Sequence, residues 1–363
     1  MKNIKRILAV VLACLFVAGL TACHKKGEIA VKVGDKEFTS GYYACALYFA
    51  DSEARQKVYT QVSEEGGDTS NIDYYSRQID GKSYVDWVKE EAIKDIKKAA
   101  ASKIYCEKAG IELDESAKNS AVSYAESYWS YYSETFTKNG FSKETLTAFL
   151  TDQSYNDLYF DHIYGAEGEK AVTEEQLKAH LSENLLIADI IEADFTDLEE
   201  EQITEKTEQL NGYLNDLNSG KRTFEEINAE YNGTDDEAED TAEETANEDG
   251  IEASGPADSL AKLIGKPDTD YAGTYSDYFE EILAMQTGEV KIIDKPDNAG
   301  KLLVVKKDIL EDPYYLSTYD ETFRHAIADE DFDKDVEDYA NTLYFESIAY
   351  AVNRFDVKKI YHG

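Results

Sequence analysis

The chain has 363 residues, 42% of them hydrophobic, so it can bury a sizeable core and by length should hold about two domains. Its 37 Lys plus Arg stand against 75 Asp plus Glu, a net charge of -38. Such a surface repels phosphate backbones and gives no electrostatic hold on anionic lipid. Nucleic acid is thereby disfavoured as a partner, and membrane association would need a covalent or inserted anchor.

The N-terminus offers one. MKNIKR is a short basic region, ILAVVLACLFVAGLTA (7–22) is an apolar run ending in small residues, and polar HKKGE follows Cys23. That is the order of a secretory signal. LTAC (20–23) resembles the lipobox of bacterial lipoproteins, which implies removal of residues 1–22, diacylation of Cys23 and a tether over 23–28. Two acyl chains suffice for stable anchoring, each buried CH2 adding about 0.8 kcal/mol. An ordinary signal peptide and a single spanning helix of marginal length are the alternatives. Cys14 leaves with the signal. Cys45 and Cys106 remain, either as a disulfide in an oxidising compartment or as two buried small hydrophobes. There is no CxxC and no metal-type Cys/His spacing.

Next, IAVKVGDKEF (29–38) alternates around Gly34-Asp35, a strand–turn–strand signal. Ser40 is placed to cap a helix carrying Tyr43 and Leu47. Residues 62–82 read as a loop. Ser83 with Asp86 opens a long helix with Val85, Val88, Ala92, Ile96 and Ala99 on one stripe, closed by Gly110. The following helix carries Tyr124, Tyr128 and Tyr132 at i, i+4, i+8, with Trp129 and Tyr131 beside them. These rings read either as an aromatic groove for unfolded peptide or as an ordinary core stripe. Asn139-Gly140 breaks this helix, and Ser142 caps another through Leu146, Leu150 and Leu158. Thr173 with Gln176 makes a capping box for a helix ending near Asn184.

The pattern then changes. LLIADIIEADF (185–195) is strand-like, with Asp189 set inside an apolar run. Residues 199–218 read as a helix with Ile203, Leu210, Leu214 and Leu217 on its apolar side, and 223–231 adds a turn or two. Residues 234–250 hold nine acids and no base, the composition of a solvated, disordered insert. YSDYFEEILAM (275–285) looks helical. Strands follow after Gly288 and over 300–310, joined by a Pro296-Asp297-Asn298 turn. Residues 185–310 thus read as a small α+β domain. Beyond Pro313 amphipathic helices return through about Arg354, placed to pack back on the first ones. The expected layout is a helical domain (29–184 with 311–363) interrupted by an α+β insertion (185–310).

That layout resembles the SurA/PrsA group of extracytoplasmic foldases, in which a parvulin-type peptidyl-prolyl isomerase domain is inserted between helical segments. The residues that carry the resemblance are GEIAVKVGDKEFTSGYYACAL (27–47), KAGIEL (108–113), NGFSKETLTAFL (139–150), VTEEQLKAHLSEN (172–184), LNSGKRTFEEINAEY (217–231), EEILAMQTGEVKII (280–293) and GKLLVVKKDI (300–309). They cover nearly the whole mature chain, and their order is more specific than any one of them. The resemblance implies a membrane-tethered chaperone for unfolded or nascent secreted polypeptides, with Phe279 and Met285 as candidate proline-pocket residues. It also implies two departures. The first-strand His of a parvulin falls on Asp189, and the last-strand His falls on Leu302.

Ionised Asp only accepts hydrogen bonds and would repel charge developing on a twisting amide, and Leu offers no polar contact. Isomerase activity is therefore expected to be weak or lost. Asp189 could equally bond a neighbouring Lys such as Lys306. An active isomerase with relocated polar groups is one rival reading, and a non-foldase envelope lipoprotein is another. No cofactor or metal is implied. Asp331, Asp333 and Asp335 have calcium-loop spacing, but Val336 and Thr342 occupy the positions that need Gly and Glu. His24, His162, His180, His325 and His362 lack paired spacing, and there is no nucleophile elbow or phosphate loop.

Overall fold

The computed structural model describes residues 27–232 and 260–363. The expected signal peptide, Cys23 and the acidic segment 234–250 lie outside the described residues. Ile29–Val33 (β1) and Lys36–Thr39 (β2) pair antiparallel. Gly34 between them has φ 56°, and a Cβ there would come within 2.8 Å of Ile104, so the turn and its close approach both need glycine. Thr39, rather than Ser40, caps Ser40–Glu64 (α1), accepting from Tyr42 N at 3.2 Å. Ser40 Oγ instead donates to the Glu28 carbonyl. Gln78–Ile79 (β3) and Lys82–Ser83 (β4) form a small hairpin.

Ser83 caps Tyr84–Ala109 (α2), and Gly110 closes it in the left-handed region. Glu115–Asn139 (α3) runs from an Asp114 cap to Gly140, with non-helical backbone at Tyr132. Lys143–Tyr164 (α4) starts from Ser142. One core gathers Leu47 and Val58 of α1, Val88 and Ile96 of α2, Phe136 of α3, and Leu146 and Phe149 of α4. Each such side chain, fully buried, stabilises the fold by about 1.5–3 kcal/mol.

Glu174–Asn184 (α5) opens with the Thr173/Gln176 capping box and leads directly into Leu185–Asp194 (β5). Glu200–Asn218 (α6) and Phe224–Asn232 (α7) follow. Ala261–Gly265 (β6), a strand the sequence did not announce, pairs with the first half of β5. Then come Phe279–Leu283 (α8), Val290–Asp294 (β7) and Gly300–Lys307 (β8). The sheet order is β6-β5-β8-β7, antiparallel throughout. A Cβ on Gly300 would lie 2.2 Å from the Ala193 carbonyl oxygen, so the end of the β5–β8 pairing requires glycine.

The chain continues through Pro313–Thr318 (α9), Asp320–Asn341 (α10), Phe345–Ser347 (β9) and Ala349–Val352 (α11). β9 falls where the sequence predicts helix. It adds to β1, giving the order β2-β1-β9.

The described residues divide into two units: 27–171 with 330–363, and 172–232 with 260–329. The sequence reading set these boundaries at 184/185 and 310/311. α5 and α9 lie with the sheet because α5 packs on β5 and on α9. In the helical unit, the C-terminal residues return to the first helices. Besides β9 on β1, Tyr164 Oη donates to Asp335 at 2.6 Å. His362 Nε2 lies 2.6 Å from Asp51, a fully buried carboxylate that also accepts from Arg55 and Tyr84. Cys45 and Cys106 are both free and buried, and burial raises both thiol pKa values, that of Cys106 to about 11. No helix among the described residues is long and apolar enough to cross a membrane.

Candidate functional site

α3 presents two different sides. Ala121, Ala125 and Phe136 are buried, and Trp129 packs half-buried against the core. The tyrosines are on the other side: Tyr124 is 65% exposed, Tyr128 42%, Tyr131 80% and Tyr132 47%. The core-stripe reading is therefore overturned for the four tyrosines, whereas Trp129, also a candidate for peptide binding, packs against the core. The helix buries Ala121, Ala125 and Phe136 and leaves its four tyrosines in water. Tyr132 marks the kink, and its ring lies 5.9 Å from Phe136, so the outer row touches the core at that point. Below Tyr124, α3 and α4 enclose an open groove of about 620 Å3, with Leu150 and Leu158 among its apolar lining.

In the sheet unit, side-chain alternation decides what can converge. Leu186, Ala188, Ile190, Leu302 and Val304 share one face with Phe279, Ile282 and Met285. Ile191, Ala193 and Leu303 share the other with Leu210 and Tyr213 of α6 and Phe224 and Ile227 of α7. Asp189 is directly opposite Val305, and Leu302 is opposite Glu192. Positions 189 and 302 thus point to opposite sides of the sheet and do not form one site. Leu302 and Phe279 are completely buried and Met285 is 5% exposed. They pack on one another as core, so neither proposed proline-pocket residue presents a surface that a ligand would meet.

Asp189 is 2% exposed and pairs with Lys307 at 2.8 Å. The expected partner Lys306 instead donates to the carbonyls of Leu283 and Met285 at 2.6 and 2.7 Å. Burial raises the Asp189 carboxyl pKa, and the hydrogen bond from Lys307 works against that shift. The polar group on the Leu302 side is one the sequence reading missed. Glu192 accepts from Tyr275 Oη at 3.2 Å and pairs with Lys295. Burial, and then the Glu192 charge, raise the Tyr275 phenol to about 12, so it stays protonated. The base and the phenol both bond the acid, an arrangement that orders this edge of the sheet.

The chain therefore combines a helical unit bearing an exposed aromatic helix face with a four-stranded antiparallel α+β unit. No family model matches it, and no curated protein does. Among solved structures it is similar to the foldase protein PrsA from Streptococcus pneumoniae, at 15% identity and a TM-score of 0.36, over 73% of this chain and 92% of that one. It is also similar to the foldase protein PrsA from Lactococcus lactis, at 12% identity and a TM-score of 0.36, over 90% of this chain and 96% of that one.

Proposed function

We propose that this protein is an exported chaperone, tethered through a lipid on Cys23, that holds unfolded secreted polypeptides on the tyrosine row of α3. The sheet unit is then a parvulin-like scaffold with weak or no isomerase activity. One observation carries the reading: four large aromatic side chains on a single helix remain in water. Contiguous exposed apolar surface marks an interaction site more often than chance. Tyrosine suits reversible holding, because its ring buries apolar area while its hydroxyl stays wet. The opposite-face placement of positions 189 and 302 supports the loss of isomerase chemistry.

The test is aggregation of a chemically denatured client in the presence of the mature chain. The chain should suppress it, and the combined Tyr124→Ser, Tyr128→Ser, Tyr131→Ser and Tyr132→Ser variant should lose most of that effect while remaining folded. No suppression at stoichiometric chain would reject the holding role. A proline-peptide assay on the same preparation should run at the uncatalysed rate. A clear acceleration would instead favour an active isomerase, with the Glu192–Tyr275–Lys295 group as the first place to mutate. Cys23→Ala should release the protein from the membrane fraction.

A further inference from the structure

The small sheet of the helical unit has two edges, and they are built differently. In the order β2-β1-β9, the outer strands are β2 and β9. The β1–β2 register shifts between Ile29 and Val31, and β2 carries Lys36. The β1–β9 register is regular, and β9 holds neither lysine nor proline. Bulges, lysines and prolines are the usual means of blunting an edge against further pairing. β9 instead lies beside rings left in water, Tyr344 at 61% exposure and Phe345 at 40%.

The register sets what β9 turns outward. Gly34 N donates to the Tyr344 carbonyl and Ile348 N to that of Ala30, so Tyr344 and Ile348 turn backbone groups toward β1, with Glu346 between them opposite Lys32. In an antiparallel ladder the intervening residues point the other way. The N–H and C=O groups of Phe345 and Ser347 therefore face away from β1, and no turn or loop among the described residues bonds them.

The side chains alternate too. Phe345 and Ser347 lie opposite Val33 and Val31, both fully buried, and Lys97 Nζ stands 5.5 Å from the Phe345 ring. Glu346 is on the other face, opposite Lys32, which is in turn opposite Glu37. Charge thus alternates across the sheet as acid, base, acid. Lys32 pairs with Glu37 at 3.0 Å. Glu346 accepts from Tyr344 Oη at 3.1 Å and forms no ion pair among the described residues.

We propose that β9 takes up an extended segment of another polypeptide as a further antiparallel strand, and that this segment carries Lys or Arg opposite Glu346 with apolar residues on either side. Its backbone bonds Phe345 and Ser347. Toward the added strand Glu346 is in a non-hydrogen-bonded position, where opposed side chains come closest, so a cation there continues the alternation. The flanking residues fall on the face of Phe345, where Lys97 already supplies a cation. A second copy paired about Glu346 would set carboxylate against carboxylate. The edge is separate from the tyrosine row and does not rest on the holding role.

Three fluorescein-labelled peptides test this on the full mature chain by anisotropy. Each alternates Val with Thr, and Lys, Gln or Glu replaces the central Thr. The Lys peptide should bind most tightly and the Glu peptide least. Glu346→Lys should reverse that order, the Lys and Glu peptides each moving about fivefold. Glu208→Lys makes the same charge change at an exposed acid of the sheet unit and should leave the order as it was. Ser347→Pro removes an outward donor and should weaken all three peptides about tenfold. Methylating the backbone nitrogens of the valines in the Lys peptide should abolish its binding, and methylating those of the threonines should not.

Equal loss from the two methylations would overturn the proposal, as would an order that Glu346→Lys leaves unmoved or that Glu208→Lys shifts as far. Peptide binding lost in the tyrosine variant would place the peptides on α3 and overturn it too. Binding kept there while client holding is lost supports two separate sites. A dimer of the unmodified chain in sedimentation that Ser347→Pro dissolves, with no peptide bound, would assign the edge to a second copy instead. If Ser347→Pro does not fold, Glu346→Lys, at an exposed position, and the methylated peptides decide the matter.

Discussion

α3 and the sheet treat large apolar side chains in opposite ways. α3 buries Ala121 and Ala125 and exposes four tyrosines, whereas the sheet seals Phe279, Met285 and Leu302 inside a core. The sheet behaves as stability alone would dictate. The helix keeps in water surface that packing would otherwise use. Burial explains how the sheet packs Phe279, Met285 and Leu302, whereas the tyrosine face of the helix is the surface that the proposed holding role uses. The position where a catalytic imidazole was sought is the better-sealed of the two regions.

The sharpest way to break this contrast is to truncate on each side of it. Phe279→Ala should destabilise the sheet unit by about 3–5 kcal/mol, since it removes a fully buried ring and leaves a cavity. Client holding by α3 should be unaffected under conditions where the variant remains folded. The tyrosine variant should do the reverse, each substitution shifting stability by only about 0.5 kcal/mol. Urea denaturation and the aggregation assay, run on both variants, measure the two quantities. If Phe279→Ala abolished holding while folded, the sheet unit would have to belong to the binding surface.

Leu302→His is the next largest. It returns an imidazole to the position where the resemblance expects one, but the side chain enters a core with Phe279, Val304 and Ile190. Burying a polar ring there should cost about 2–4 kcal/mol. No isomerase activity should appear, because the site is sealed and position 189 lies on the other face. A measurable gain in proline-peptide turnover would show that the face opens.

The parts legible in the sequence were those set by neighbours a few residues away. Ser83 with Asp86, Thr173 with Gln176, and the closing Gly110 and Gly140 are local signals, and each sits where its chemistry placed it. β6 and β9 were missed because they are short and exist through distant partners, Leu185–Asp189 and Val31–Val33. The relation of Asp189 to Leu302 was hidden for a related reason. A shift of one residue in strand register would flip one of them to the other face, and register is a tertiary fact. At α3 the spacing of the tyrosines was readable, but which stripe faces inward was not. Ala121 and Ala125 have the same four-residue spacing as Tyr124 and Tyr128. The larger rings invited the core reading, and the small residues took the core.

The smallest predicted effect compares two enclosed carboxyls. Asp95 on α2 has burial first, then Glu91 and Glu53, acting against its charge, with Lys94 and Lys98 pulling the other way, and its pKa rises to about 7. Asp189 is also raised by burial but has Lys307 to hold its charge. An unfolded Asp releases its proton near pH ~3.9. Between there and about pH 7, the folded chain binds more protons at Asp95 than the unfolded chain does. Stability contributed by this group therefore falls as pH rises through that window and is flat above it. Asp95→Asn removes the titration. It should be more stable than the parent at pH ~8, converge on the parent near pH ~4, and flatten the slope between. Asp189→Asn relieves a similar burial cost but strands Lys307, so its change should be near zero across the same range. Urea midpoints at a series of pH values separate the two. A larger gain from Asp189→Asn than from Asp95→Asn would mean that the Lys307 pair does not stabilise the sheet.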